Sequence, residues 1–193
     1  NTEGRPSLES GASQNDMDFL HVFDIRKAEK AVAEGKTKLI AGMRVISLET
    51  AVSDGILHLV PEPKSPHGVD VTPDGKEIVI AGKLDTHATV YTIEKIKAAI
   101  EAKKYAGVDA YGIPILPCED VIRGQVELGL GPLHTQYDDQ GHAYTSLFLE
   151  SVVAKWNLAD LKLISKIPVH YNVGHITTPE GDTVSPDGGY LVA

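Results

Sequence analysis

The sequence predicts an all-β fold, a partial β-propeller with short helical inserts, from turns that recur along the chain. Pro-Asp-Gly turns at residues 73–75 and 186–188 each lead into a short apolar strand, and a turn at 138–142 leads into another. Proline presets the first turn residue, and glycine takes the positive φ that closes a hairpin. Units of strand, turn and strand spaced roughly 40 to 70 residues apart are typical of propeller blades, so we expect about three blades.

The strands that follow these turns have partners further along the chain. We expect strands at 77–81 and 89–93 in the first unit and at 143–149 and 152–156 in the second, because each of these runs is short and apolar. The third unit reaches only residues 190–193, so its partner strand is missing from this chain.

Two helical inserts are predicted between the strands, at 25–34 and 94–103. In each, apolar residues recur at a spacing near 3.6 and share one face, while charged residues occupy the other. Gly35 can end the first helix. Each insert follows a strand-like run, so we expect the helices to pack on the outside of blades with their charges in water.

Composition excludes some classes of partner. The formal net charge is −9 and the isoelectric point is about 5.3, so no basic face is available for nucleic acid or an anionic membrane surface. No run approaches the ~18 apolar residues of a membrane span.

The lone Cys118 has no CxxC partner and cannot form an internal disulfide, which favours a structural or loop thiol. The chain starts at Asn1 and stops within an apolar run, so we expect a fragment of a longer protein.

Histidines at three similar loop positions are the strongest functional signal. His67, His134 and His175 each lie beside glycine or proline, which fix a loop conformation. On equivalent inner loops of successive blades, the three imidazoles would meet at the propeller axis. Neutral imidazole suits copper, zinc, iron or nickel, so we predict a metal site. The other histidines lack this setting, and most are predicted to be structural or exposed: His21, His58, His87, His142 and His170.

The segments that contain these histidines resemble the copper-cluster loops of nitrous oxide reductase. They read Pro-Lys-Ser-Pro-His-Gly-Val at 63–69, Glu-Leu-Gly-Leu-Gly-Pro-Leu-His-Thr at 127–135 and His-Tyr-Asn-Val-Gly-His at 170–175, in the family's order. Residues 180–188 are similar to the atypical, or second-clade, form of the family. The resemblance covers essentially the whole chain. It implies that residues 1–193 are a fragment of the N-terminal β-propeller copper-cluster domain, about three of its seven blades, and that the C-terminal cupredoxin domain is absent from this chain.

The resemblance also implies an activity and its cofactors. The family reduces nitrous oxide to dinitrogen and water, a step of denitrification, at a four-copper sulfide cluster called CuZ that seven histidines hold. His67, His134 and His175 would be three of the seven. The other ligands, a catalytic lysine and the dinuclear CuA centre of the cupredoxin domain would lie outside this chain, so the fragment alone is expected to be inactive.

Partners and location follow from the same resemblance. The complete enzyme is expected to be a head-to-tail homodimer in the periplasm, in which electrons reach each cluster from the CuA centre of the opposite subunit. A small electron-donor protein, such as a c-type cytochrome or a cupredoxin, would supply those electrons.

Calcium is a further implied cofactor. By resemblance Glu3, Asp18 and Asp70 supply oxygen ligands to one calcium ion, with Asp70 standing where the family often has asparagine. Composition alone would make the acidic N-terminal stretch a flexible loop. Glu180 and the backbone carbonyl of Lys166 are weaker candidates for a second calcium site.

A different class of function is also open to this pattern. Pro-Asp-Gly turns occur in many propellers that bind proteins or carry a calcium-dependent hydrolytic site. In such a non-redox propeller the acidic residues would matter and the histidines would be incidental. The order and the residues of the three histidine motifs favour the reductase.

Overall fold

The computed structural model describes residues 18–62, 65–178 and 189–193. The described residues divide into two compact units, the first built mainly from Glu62–Ile96 and Val121–Ala193 and the second from Phe19–Pro61 and Lys97–Asp120. The helices are α1 (Ile25–Ala33), α2 (Leu48–Ser53), α3 (Ile93–Glu101) and α4 (Cys118–Val121). The strands are β1 (Phe19–Phe23), β2 (Lys38–Ile40), β3 (Met43–Val45), β4 (Leu57–Pro61), β5 (Pro66–Val71), β6 (Glu77–Gly82), β7 (His87–Thr92), β8 (Gly107–Val108), β9 (Pro114–Ile115), β10 (Ile122–Glu127), β11 (Pro132–Tyr137), β12 (His142–Leu147), β13 (Val152–Asn157) and β14 (Lys162–Pro168).

Two antiparallel sheets of four strands form the first unit. One has the order β10-β7-β6-β5 and the other the order β11-β12-β13-β14. In each, the strands pair mainly with their neighbours in sequence, as in a propeller blade. The apolar core between them joins Val79, Val90 and Val126 of one sheet to Leu147 and Trp156 of the other, all at most 2% exposed. The two sheets therefore share one apolar interface.

The predicted turns form the hairpins between these strands. At 73–75 the Thr72 hydroxyl donates to the Asp74 carboxylate (2.7 Å), and Gly75 has a φ of 68°. At 138–142 the Asp138 carboxylate accepts the His142 backbone N–H (2.9 Å), and Gly141 has a φ of 83°. Glycine tolerates this left-handed conformation without strain, which explains its place in both turns.

A mixed sheet of four strands, with the order β1-β4-β9-β8, forms the centre of the second unit. The pairing of β4 with β9 is parallel and rests on Leu59 and Ile115, which are far apart in sequence. Ala31 of α1 and Leu59 lie in its apolar core with Ile113. The separate β2-β3 hairpin completes the sheets of the described residues.

Both predicted helices are confirmed, with small changes at their ends. Helix α1 begins after Asp24, whose carboxylate accepts the Lys27 backbone N–H (3.0 Å), and ends before Gly35, whose φ is 72°. Helix α3 begins one residue before the predicted start at 94 and ends two residues before the predicted end at 103. Helices α2 and α4 were not predicted because six and four residues are too few to show a helical repeat.

The all-β class is confirmed, and two antiparallel sheets of four strands have the strand order of propeller blades. The predicted third blade includes residues 179–188, which lie outside the described residues. Beyond them, the structure shows one isolated bridge between Thr177 and Val192. The third sheet of four strands lies in the second compact unit. It was not predicted, because its strands are short and are joined across long insertions.

Buried His58 makes the stability of the second unit depend on pH. It lies on β4 with 2% of its surface exposed. Burial lowers its pKa below 6.5, the positive charge of Lys27 lowers it further, and Asp24 opposes them. The unfolded chain takes up a proton as the pH falls through about 6.5, whereas the folded chain takes it up only at a lower pH, so the free energy of unfolding falls below about pH 6.5.

We expect His58→Leu in the full-length protein to weaken this pH dependence. The drop in unfolding free energy between about pH 7.5 and about pH 5.5 should be smaller than in the unsubstituted protein, as measured by denaturant unfolding at both pH values. Exposed His21 lies on neighbouring β1, so His21→Leu should leave the drop unchanged. An equal drop in all three proteins would contradict the assignment to His58.

Candidate metal centre

Strands β5 and β11 each lie at one edge of their sheet in the first unit, directly beside one another. They are called the inner strands below. The Thr135 backbone N–H donates to the Asp70 carboxylate (2.7 Å), and the Tyr137 hydroxyl donates to the Asp70 carbonyl (3.1 Å). At Gly68 the two strands are so close that a Cβ would lie 1.9 Å from the Leu133 carbonyl oxygen. The glycine after His67 is therefore required for the contact between the inner strands.

The segment that follows His175 continues this arrangement. Asp70, Tyr137 and Thr178 each lie three residues after one of the candidate histidines. As the Tyr137 hydroxyl donates to the Asp70 carbonyl, the Thr178 hydroxyl donates to the Tyr137 carbonyl (2.6 Å). Residues 174–178 therefore lie beside β11 much as β11 lies beside β5.

β-bulges place two of the histidines. The pairing of β5 with β6 changes register between Pro66 and Gly68, and the pairing of β11 with β12 changes register between Pro132 and Thr135. His67 and His134 lie inside these two irregular stretches. A bulge bends its strand and turns a side chain away from the regular alternation. The proline and glycine of the sequence motifs thus mark bulges in the inner strands.

The three predicted ligands come together in the structure. The ring centroids of His67 and His134 are 5.0 Å apart with the planes at 79°, and those of His134 and His175 are 4.5 Å apart with the planes at 24°. Across the described ranges, no group of three or more histidine, cysteine, aspartate or glutamate side chains is arranged to hold a single metal ion. The imidazoles are thus adjacent without converging on one point.

The electrostatic surroundings favour neutral imidazole. Burial lowers the pKa of His67, and the positive charges of protonated His134, of Lys83 and of protonated His175 lower it further, against the opposing carboxylate of Asp70. Burial, together with His175, likewise lowers the pKa of His134. Both rings are therefore neutral at pH 7, which leaves a nitrogen lone pair free for a metal.

The loop before His134 is held by an ion pair. The Glu150 carboxylate accepts the Leu130 backbone N–H (2.7 Å) and pairs with the Lys166 ammonium (2.8 Å). A Cβ at Gly129 would lie 2.3 Å from the Glu150 carboxylate, and the φ of Gly129 is 116°. The side chain of Lys166 thus supports the loop, whereas the sequence suggested its backbone carbonyl as a calcium ligand. Its predicted companion Glu180 lies outside the described residues.

The predicted calcium ligands are partly described. Asp18 is buried, with 3% of its surface exposed, and its carbonyl accepts the Glu62 backbone N–H (3.0 Å). Burial and the negative charge of Asp18 raise the pKa of Glu62 to about 7. Burial also raises the pKa of Asp70, opposed by its hydrogen bond from Thr135. Glu3 lies outside the described residues.

Glu62 was not predicted as a site residue, because no motif in the sequence singles it out between Pro61 and Pro63.

The other histidines have structural or exposed positions, as predicted for most of them. His87 and His142 lie against Asp85 and Asp138 at 3.0 and 2.8 Å, His58 is buried, and His21 and His170 are exposed.

Fold and site together define a class of protein, a β-propeller whose inner strands carry histidines. Residues 166–193 match the family model described as the nitrous oxide reductase propeller repeat. The nitrous-oxide reductase of Stutzerimonas stutzeri is 34% identical over 197 residues, covering 95% of this chain and 29% of that protein. The nitrous-oxide reductase of Cupriavidus necator is 35% identical over 207 residues, covering 96% and 30%. The chain belongs to the nitrous-oxide reductase family, and it spans about 30% of the length of these relatives.

A solved structure of Kuenenia stuttgartiensis hydrazine synthase aligns with 61% of this chain and 27% of its own chain, at 18% identity. Its TM-score of 0.43 is too low to establish a common fold. Among the described residues, the helices are too short and too polar to cross a membrane.

Proposed function

We propose that this chain is part of an enzyme that reduces nitrous oxide to dinitrogen and water, and that His67, His134 and His175 hold part of its copper centre. The approach of the three imidazoles, with centroid separations of 5.0 and 4.5 Å, is the observation that carries the proposal. The family membership of the chain supports it.

The donor set fits copper. Neutral imidazole nitrogens are good ligands for copper, and the environments of His67 and His134 keep them neutral. Because the rings do not converge on one point, they would suit a multinuclear centre better than a single ion. When bound, a four-copper sulfide cluster, CuZ, supplies the electrons for the reduction of nitrous oxide.

The residues of this chain hold and orient the ligands. Gly68 lets β5 and β11 touch, and the Asp70 carboxylate fixes the backbone of Thr135, next to His134. The Glu150–Lys166 pair holds the loop before His134. We propose that these contacts set the positions of the histidines.

The rest of the machinery is proposed to lie in the remainder of the protein. It includes the other cluster histidines, the catalytic lysine and the cupredoxin domain with its CuA centre. We further propose a periplasmic head-to-tail homodimer that receives electrons from a small donor protein.

The full-length protein tests this function. Copper-loaded protein with a reduced dye as electron donor should consume nitrous oxide, and removal of copper should stop the consumption. Copper-loaded protein that leaves nitrous oxide untouched under these conditions would contradict the proposal.

Calcium binding at Asp18, Asp70 and Glu3 is a second part of the proposal. The raised pKa of Glu62, caused by burial and by the charge of Asp18, supports it, because it indicates that the two carboxylates lie close together, and carboxylate oxygens are the ligands that calcium prefers. Glu62 therefore joins the candidate ligands. A second calcium ion at the Lys166 carbonyl and Glu180 is a weaker proposal.

We expect a calcium chelator to make the full-length protein more sensitive to limited proteolysis before Asp18, and added calcium to restore protection. The ion stabilises only the state that binds it, so its removal favours opening. Asp18→Asn should abolish the response to calcium, whereas Asp160→Asn, at an exposed turn, should not. Identical digestion with and without calcium would rule out the site.

A further inference from the structure

Ser146 is a buried residue that touches the backbone on both sides of the histidine cluster. It lies on β12, and 0% of its surface is exposed. Its hydroxyl accepts the His134 backbone N–H (3.3 Å) and donates to the Gly174 carbonyl (2.5 Å). Gly174 directly precedes His175. One hydroxyl therefore connects the chain segments that carry two of the three imidazoles.

The bulge at His134 explains why this hydroxyl is needed. Regular pairing of β11 with β12 is interrupted between Pro132 and Thr135. The His134 N–H lies within that interruption, where the Ser146 hydroxyl takes the place of a backbone acceptor. A buried N–H or carbonyl that loses its partner is costly, so this link holds both segments in place.

We propose that Ser146 is a positioning residue of the metal centre, whose hydroxyl fixes His134 and His175 relative to one another. The inference rests on the proposed function of these histidines. Ser146 does not touch the metal in this account. It acts through the backbone of His134 and of Gly174, and it keeps the two rings at their separation of 4.5 Å.

The neighbouring residue provides a matched control. Thr145 is also 0% exposed, and its hydroxyl also makes two hydrogen bonds, with the Thr135 hydroxyl (2.8 Å) and the Trp156 indole N–H (2.9 Å). Successive residues of a strand face opposite sides of the sheet, so Thr145 bonds within the core rather than to the segment before His175. Removal of either hydroxyl should lower stability, but only Ser146 should affect the metal.

The test uses the full-length protein with Ser146→Ala, Ser146→Thr and Thr145→Val. Cu(I) is titrated, with sulfide supplied, into metal-free protein against a competing chelator, and the copper bound beyond that of the CuA centre is determined. The absorption spectrum of the copper-loaded protein is recorded, and thermal unfolding is followed in parallel. Ser146→Ala should weaken Cu(I) binding about 10- to 100-fold, the usual effect of removing a group that orients a ligand, and should shift the spectrum. Ser146→Thr keeps the hydroxyl and should restore both.

Thr145→Val should leave Cu(I) affinity and spectrum unchanged even where its melting temperature falls as far as that of Ser146→Ala. If the two variants weaken Cu(I) binding equally, Ser146 is only structural and the proposal is overturned. Ser146→Val, which has the shape of threonine without the hydroxyl, serves if Ser146→Ala does not fold. It should weaken Cu(I) binding as Ser146→Ala does, and an affinity equal to that of Ser146→Thr would overturn the proposal.

His134→Ala separates this proposal from the one on which it rests. Cluster copper lost in His134→Ala but unchanged in Ser146→Ala would remove only the positioning role. Cluster copper unchanged in His134→Ala would remove His134 from the metal centre, and the role of Ser146 with it.

Discussion

Replacement of His134 by alanine in the full-length protein is expected to lower the copper content of the cluster and to abolish nitrous oxide reduction. Its imidazole lies next to both of the others, with ring centroids 5.0 Å from that of His67 and 4.5 Å from that of His175. Its loss therefore leaves a gap that neither neighbour fills. Since even groups that only orient a ligand contribute 10- to 100-fold to affinity or activity, we expect the rate to fall by at least about 100-fold. His67→Ala and His175→Ala should behave in the same way.

Copper per protomer and the rate of nitrous oxide consumption are the measurements. His87→Ala is the matched control, because His87 lies in the same sheet as His67 but against Asp85 at 3.0 Å. It should retain copper and activity, and the dinuclear CuA centre should stay loaded in every variant. A variant of His67, His134 or His175 with full copper and full activity would show that this histidine is not a ligand.

The second large effect is expected from Gly68→Ala. The added Cβ would lie 1.9 Å from the Leu133 carbonyl oxygen, and a backbone oxygen cannot turn aside as the end of a flexible side chain can. Overpacking typically costs 1–3 kcal/mol, so we expect a loss of about 3 kcal/mol or more in unfolding free energy. The inner strands must separate to fit the methyl group, so copper binding should fall as well.

Gly174→Ala is the control for Gly68→Ala. Gly174 also lies next to a cluster histidine, but no heavy atom would come within 4 Å of its Cβ. Denaturant unfolding and copper content should change little in this variant. If Gly68→Ala were as stable and as rich in copper as Gly174→Ala, the close contact between β5 and β11 would be contradicted.

Local patterns were sufficient to predict much of the fold. Helix α1 was predicted from its apolar face and from Gly35 at its end, and both signals are local. The strands that follow the turns at 73–75 and 138–142 are short apolar runs, which is also a local signal. The sheet of the second unit was not predicted, because β8 and β9 have two residues each and the pairing of Leu59 with Ile115 joins distant segments.

The same distinction between local signals and contacts of distant segments applies to the candidate site. The three histidines could be found because proline and glycine surround them in recurring motifs. Ser146 and Glu62 could not, since nothing near Ser146 in sequence indicates its bond to Gly174, and nothing near Glu62 indicates that Asp18 lies beside it. Such roles arise only where folding joins distant segments.

The central claim is that His67, His134 and His175 bind one copper centre. Anomalous diffraction at the copper absorption edge, from crystals of the copper-loaded full-length protein, tests it most directly. The account predicts copper peaks within coordination distance of an imidazole nitrogen of each of the three residues, all belonging to one cluster. Copper peaks elsewhere in the protein, with these three imidazoles free of metal, would contradict it.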